Sequence, residues 1–207
     1  MTTPREPIGN MPTVPPAPVA DSWCAWPLYV VCDVSSTMHD GMFAKCWGSS
    51  ASPWILMHRA VFEVVHEINM NEDIRQLVHL AIVQFADKAE TILKLTRLDQ
   101  TDLTIREFSK GKLTDFAAVW KHLARMLPED QKELASAGFK SERPTILFIT
   151  DTGKREQTVN EQHMCAMRRA IGDERLYPHI IVIGLGGMSN EDVRSKLRIF
   201  IRKLIDS

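Results

Sequence analysis

Aromatic residues are scarce in this 207-residue chain, and neither sign of charge dominates it. Phe, Trp and Tyr together make up 7% of the residues, and the formal net charge is −1. A protein that binds nucleic acid through bulk positive charge needs a clear cationic excess, so that class is excluded. The chain has no apolar run long enough to span a bilayer, and no basic segment followed by an apolar one at its start. These absences predict a cytoplasmic protein without a membrane segment.

Cysteine is also sparse, and its spacing excludes two further classes of protein. The four cysteines are Cys24, Cys32, Cys46 and Cys165, and no two of them form a C-x-x-C pair. A disulfide-stapled domain or a structural zinc site needs closer and more regular spacing. We therefore expect free thiols in a reducing compartment.

What the chain does contain is enough apolar material for one full domain. Hydrophobic residues make up 44% of the sequence, an ordinary share for a globular protein of this length. Residues 1–26 differ, because proline recurs there among small and polar residues. Such a segment cannot build a core, so we predict a flexible tail over 1–26 and a folded domain over 27–207.

Buried strand patterns alternate with helical patterns along the predicted domain. The predicted strands are 28–32, 77–85, 90–96, 145–150 and 179–183. The predicted helices are 52–68, 114–127, 157–171 and 189–205, the second of them ending near Pro128. The alternation predicts an α/β fold, a three-layer doubly wound sheet of about five mostly parallel strands flanked by helices. The run 90–96 alternates polar and apolar residues, which favours an antiparallel edge strand.

Oxygen-bearing side chains follow two of these strands and begin one helix. They are Asp33, Ser35 and Thr37 after the first strand, Thr114 at the helix start, and Asp151 after the fourth strand. Ligands bind at the carboxyl ends of the strands in open α/β sheets, and hard oxygen donors favour Mg²⁺. Each of these residues also has a simpler interpretation as a turn former or helix cap.

An enzyme is the main alternative that these residues allow. A phosphohydrolase of the haloacid-dehalogenase type also carries an Asp-rich motif after its first strand, with Asp33 as the nucleophile. Ser35 stands where that chemistry needs a second Asp as general acid and base, and a serine hydroxyl does not serve that purpose near neutral pH. The glycines of 184–187 lack the spacing of a nucleotide-binding loop.

In these motifs the chain resembles the von Willebrand factor A (VWA) domain. The metal-ion-dependent adhesion site of that family, or MIDAS, follows the pattern D-x-S-x-[ST]…T…D, which Asp33, Ser35, Thr37, Thr114 and Asp151 match in order. Together with the run VHLAIVQF, the spacing is most similar to bacterial VWA proteins of the tellurium-resistance type.

The resemblance implies a binding module and not a catalyst. In the family, the hydroxyls touch the Mg²⁺ (Mn²⁺ and Ca²⁺ are alternatives) and the two Asp side chains act largely through water. The cation then captures an Asp or Glu of a partner protein. The resemblance further implies a stress-response or defence complex whose partner is an ATPase, kinase or phosphatase of the same gene cluster, with no part for nucleic acid or membrane. A VWA scaffold that binds without metal stays open as an alternative.

The surroundings of the motifs add two expectations. Met42, Phe43 and Trp47 lie in the loop after the first motif, where they are expected to form an apolar rim around the acidic residue of the partner. Ser36, Leu113 and Thr152 stand where the family pattern usually has glycine. We therefore expect added bulk near the cation.

Overall fold

The computed structural model describes residues 23–39, 52–98, 107–151, 161–185 and 189–205. Its strands are β1 (Cys24–Asp33), β2 (Val78–Phe85), β3 (Ala89–Arg97), β4 (Lys140–Ser141), β5 (Thr145–Thr150) and β6 (His179–Gly184). Its α-helices are α1 (Ser36–His39), α2 (Pro53–Asn69), α3 (Glu72–Leu77), α4 (Phe116–Ser136), α5 (Glu161–Ile171) and α6 (Asn190–Ile205), and a 3₁₀ turn covers Glu174–Leu176. None of the helices within the described ranges has both the length and the apolar character needed to cross a membrane.

The strands of the described residues form one mixed sheet in the order β3-β2-β1-β5-β6, with β4 paired to the start of β1. β1 runs parallel to β2 and β5, and β5 runs parallel to β6. β3 pairs antiparallel with β2 at the edge. The predicted fold class is therefore confirmed, including the antiparallel edge strand.

β1 is longer than the sequence pattern predicts. Cys24 and Ala25 pair with the two residues of β4, and Trp26 pairs with Val78 of β2. Residues 24–26, which the sequence places in the tail, thus belong to the sheet, because their ladder partners lie far along the chain. Of the remainder of the predicted tail, the exposed Trp23 precedes the strand and residues 1–22 lie outside the described residues.

The central strand β1 separates two hydrophobic cores. Leu28, Val30 and Cys32 pack into the core beneath α2 and α6. Tyr29 and Val31 point the other way, into the core beneath α4 and α5. Side chains of a strand alternate between its faces, so a run without polar residues requires cover on both sides. This is the physical origin of the three layers.

The start of α2 is capped by a serine side chain. The Ser52 side chain accepts a hydrogen bond from the backbone N–H of Ile55, and Pro53 occupies the first turn. Proline is favoured there, because the first N–H groups of a helix have no partner within the helix.

α4 corrects the sequence prediction, which ended this helix near Pro128. The helix continues through Pro128 to Ser136. Leu127 and Leu134, on either side of the proline, are both buried. The Tyr29 hydroxyl also donates a hydrogen bond to Asp130 Oδ2 at 3.0 Å. Tertiary contacts on both sides of the proline therefore hold the helix together despite the missing backbone hydrogen bond.

We expect Pro128→Ala to raise the free energy of unfolding by about 1 to 3 kcal/mol, because it restores an N–H within the helix and removes the ring clash. Urea denaturation measures the change. Pro53→Ala is the matched control, since a proline in the first turn suits the helix. A gain from the control as large as that from Pro128→Ala would contradict the explanation.

The burial of Asp130 also makes stability depend on pH. Burial raises the pKa of Asp130 to about 6, with further increases from Glu133 and Glu129, against the lowering effect of the Tyr29 hydrogen bond. In the unfolded chain the pKa of an Asp carboxyl is about 3.9. The pKa of Asp130 is therefore higher in the folded state than in the unfolded state. Its contribution to the free energy of unfolding is complete at about pH 4 or below and is lost as the pH rises through about 6.

Asp130→Asn, which keeps an acceptor and removes the charge, should therefore gain stability relative to the wild type as the pH rises from 4 to 7. Denaturant unfolding at several pH values in this range measures the difference. An exposed carboxyl that does not act on Asp130 is tested as Glu107→Gln and should give a much flatter difference. A constant difference for Asp130→Asn would contradict the assigned pKa direction.

Candidate metal centre

Three chain segments meet at the carboxyl edge of the sheet, beside the end of β1. The N–H of Val34 donates to the carbonyl of Phe85 at 2.9 Å, which ties the loop after β1 to the end of β2. The N–H of Gly111 donates to the carbonyl of Val34 at 2.8 Å. β5 pairs with β1 up to Cys32 and Ile149, so its end reaches the same edge.

Asp33 is the buried carboxylate of this edge. Its Oδ1 accepts the backbone N–H of Ser35 and its Oδ2 accepts the hydroxyl of Thr150, both at 2.9 Å. Its side chain is fully buried. Burial raises the pKa of Asp33, the hydrogen bonds of Ser35 and Thr150 lower it, and the negative charge of Asp151 raises it. The carboxylate is thus held in one orientation, in surroundings where a nearby cation would be stabilising.

Two hydroxyls lie next to this carboxylate. Ser35 Oγ and Thr37 Oγ1 are 3.1 Å apart, with Ser35 buried and Thr37 half-buried. Neighbouring ligands of an octahedral Mg²⁺, at about 2.1 Å from the ion, lie about 3.0 Å from each other. The two hydroxyls share a hydrogen bond at this separation, and both the separation and the hardness of the donors suit two neighbouring ligands of Mg²⁺.

Thr114 lies in a segment that backbone hydrogen bonds hold against the same edge. The Asp87 carboxylate accepts the N–H groups of Lys112 and Leu113, at 3.1 and 3.0 Å. On the other side of Thr114, the N–H of Asp115 donates to the carbonyl of Ala86 at 2.8 Å.

The helix cap of α4 is Asp115 and not Thr114. The Asp115 carboxylate accepts the N–H of Ala118 at 3.1 Å. This removes capping as the explanation for the Thr114 hydroxyl.

Asp151 completes the predicted set of donors. It directly follows β5, and its charge acts on the carboxyl of Asp33. The structure therefore places Asp33, Ser35 and Thr37 on the turn from β1 into α1, with Asp151 near Asp33, and Thr114 in a segment bonded to that turn. No group of three or more His, Cys, Asp or Glu ligands occurs in the described part of the chain. The donors are thus mainly hydroxyls beside two carboxylates, a set suited to a hard cation.

Two of the three side chains that replace family glycines are exposed. Leu113 is 70% exposed. Ser36 is exposed too, and its hydroxyl donates to the carbonyl of Lys112 at 2.7 Å. Neither is buried between the motifs, so the expected crowding does not arise inside the loop. Thr152 lies outside the described residues, as do Met42, Phe43 and Trp47 of the predicted rim.

Sequence reasoning missed two residues that support the site. Thr150 bonds Asp33, and its position at the end of a buried strand, immediately before Asp151, was the available signal. Asp87 bonds the segment before Thr114, although its sequence context indicated only a hairpin turn. Both contacts join residues distant in the chain, which no local pattern reveals.

The sheet, its switch in strand order and the oxygen donors define a class of α/β proteins that bind ligands at the carboxyl edge. The family model of the von Willebrand factor type A domain matches residues 28–154. The chain belongs to this family.

No curated protein sequence matches the chain. Among solved structures, the D319A mutant of the PilB minor pilin from Streptococcus sanguinis is similar, with a TM-score of 0.54 and 10% identity, over 91% of this chain and 63% of the pilin chain. An aerotolerance-related membrane protein from Bacteroides fragilis has a TM-score of 0.44 and 12% identity, over 88% of this chain and 100% of the other chain. Proximal thread matrix protein 1 from the mussel byssus gives 0.43 and 13%, and this chain covers 46% of its length. At 10% identity, the likeness to the pilin shows the fold alone.

We expect Thr150→Val to lower the free energy of unfolding by about 1 to 3 kcal/mol, because it leaves an oxygen of the buried Asp33 carboxylate without its hydrogen bond. Urea denaturation in EDTA measures the change. Thr145→Val, at the opposite end of the same buried strand, is the matched control. Equal losses in the two variants would show that the bond to Asp33 is not the cause.

Proposed function

We propose that this VWA domain is a protein-interaction module that uses a MIDAS-type Mg²⁺ site to capture an acidic residue of a partner protein. Domains of the family commonly mediate protein–protein interactions and are usually not enzymes. The observation that carries the proposal is the hydroxyl pair of Ser35 and Thr37, 3.1 Å apart beside the buried Asp33. Mn²⁺ and Ca²⁺ are alternative occupants of the same oxygen donors.

The residues of this chain would have two different roles at the cation. Ser35, Thr37 and Thr114 would hold the cation through neutral hydroxyls, with Asp33 and Asp151 balancing part of its charge. A cation bound in this way supplies a Lewis-acidic position that attracts one further anionic ligand. A carboxylate from a partner meets that demand, because Asp and Glu are the anionic oxygen donors that proteins carry.

The geometry of Asp33 disfavours the phosphohydrolase alternative. A nucleophilic carboxylate must present an oxygen to the substrate, whereas both oxygens of Asp33 accept hydrogen bonds and the side chain is fully buried. Ser35 in place of the second Asp points the same way. The VWA scaffold that binds without metal is the competing function that the experiment below separates.

For the cellular context, we propose a cytoplasmic stress-response or defence complex of the bacterial tellurium-resistance type. The support is the resemblance of the motif spacing to that group. An ATPase, kinase or phosphatase encoded in the same gene cluster would then offer the acidic residue.

We expect Mg²⁺ or Mn²⁺ to raise the melting temperature of the wild type but not that of Thr37→Val, which removes one ligand and keeps the side-chain shape. An ion at 100 times its Kd stabilises the folded state by about 2.7 kcal/mol. Differential scanning calorimetry with and without EDTA measures the shift. Thr145→Val, at the opposite edge of the sheet, should respond like the wild type.

The absence of a shift with either ion at millimolar concentration would contradict the metal site and favour the metal-independent scaffold. Phosphatase activity that Asp33→Asn abolishes would support the enzyme. For the partner, affinity capture with wild type and Thr114→Ala, each in Mg²⁺ and in EDTA, identifies proteins retained only by the wild type with metal.

A further inference from the structure

Within the described part of the chain, most of the large exposed apolar side chains lie on or beside α2. Six large hydrophobic side chains are exposed among the described residues, and four of them lie on α2, at its end, or on the adjoining α6. These four are Ile55, Phe62, Met70 and Ile199, between 51% and 72% exposed. Such clustering on one face is typical of an interaction surface.

The exposed residues of α2 form a regular stripe. Ile55, Arg59, Phe62 and His66 follow at intervals of three or four residues, and Met70 caps the helix four residues further on. This spacing puts them on one line, opposite the buried residues of the same helix. The rings of Phe62 and His66 stack at 5.8 Å with an interplanar angle of 6°. We call these five residues the α2 face.

The residues of the α2 face are spaced almost symmetrically about Phe62. Phe62 lies one residue from the midpoint of α2 (53–69), with Ile55 seven residues before it and Met70 eight residues after it. If two copies of α2 pack antiparallel with Phe62 on the two-fold axis, each Phe62 meets the other and each Ile55 meets Met70. A self-complementary patch of this kind is what a two-fold symmetric dimer requires.

The charges beside the α2 face fit the same arrangement. Glu63 and Glu67 lie on the flank of α2 toward α6, where Oε1 of each accepts from Arg194 at 3.0 Å and from Arg198 at 3.5 Å, respectively. Arg59 lines the groove of about 650 Å³ on this flank. A two-fold axis in the plane of the interface keeps this flank on the same side in both copies. Arg59 of one copy then lies between Glu63 and Glu67 of the other, about 3 Å along the axis from each. Oε1 of both carboxylates already pairs with Arg194 or Arg198, so Arg59 would be a second cation beside each of them.

We propose that a second copy of this chain covers the α2 face, in an antiparallel two-fold pairing of α2 with Phe62 at its centre. The pairing buries the apolar stripe of both copies and places each Arg59 beside two carboxylates. None of the five residues of the α2 face is a donor of the candidate metal centre, so the pairing is expected with or without a bound cation.

Sedimentation velocity of the full 207-residue chain over a concentration series tests the proposal. We expect a dimer for the wild type, in EDTA as well as in Mg²⁺, and a twofold lower mass for Phe62→Glu with unchanged helical content by circular dichroism. Trp23→Glu alters a similarly exposed apolar residue outside the α2 face and should stay dimeric. A wild type that is monomeric at every concentration, or a dimeric Phe62→Glu, would overturn the proposal.

Cysteine cross-linking tests the geometry of the pairing. Under mild oxidation, Phe62→Cys should form a disulfide-linked dimer, because the two copies of this residue meet at the axis. Met70→Cys, exposed to a similar extent, should not, since it faces Ile55. The wild type with its four cysteines is the blank. Cross-linking of Met70→Cys equal to that of Phe62→Cys would contradict the antiparallel arrangement.

Discussion

The burial of β1 on both faces is the constraint on which this structure depends. Leu28 and Val30 require a helical layer on one side, and Tyr29 and Val31 require one on the other. β1, with helices packed on both of its faces, lies in the middle of the sheet with β2 and β5 as its neighbours. Its polar end is thereby brought to the point where the ends of both neighbours lie, and the buried Asp33 carboxylate at that point needs the hydrogen bonds that Ser35 and Thr150 provide.

The sequence predicts the layers well, because hydrophobic periodicity depends on residues that are close together in the chain. The strands near 78–85, 145–150 and 179–184 appear where their apolar runs predict them. The errors occur where distant contacts override local signals. Pro128 marks a helix end in sequence, yet burial of Leu134 extends α4 past it. The two-residue β4 has no pattern of its own and exists through its pairing with Cys24 and Ala25.

The candidate site shows the same division. Asp33, Ser35 and Thr37 are recognisable because the donors lie on one short turn, and their convergence follows from the strand order. The supporting contacts of Thr150 and Asp87 are not recognisable, since each joins segments separated by many residues. Threonine and aspartate at strand ends and turns are also common for local reasons. Which of them serve the site is decided by tertiary structure.

The anchoring of the segment before Thr114 has a consequence for how such domains vary. The Asp87 carboxylate accepts hydrogen bonds from the backbone N–H groups of residues 112 and 113, and the Ser36 hydroxyl donates one to the carbonyl of residue 112. None of these bonds involves the side chains of Lys112 or Leu113. The position of the threonine is thereby separated from the identity of the two residues before it. A domain built in this way can change the side chains at positions 112 and 113, and with them the surface chemistry beside Thr114, while the backbone that carries Thr114 stays in place.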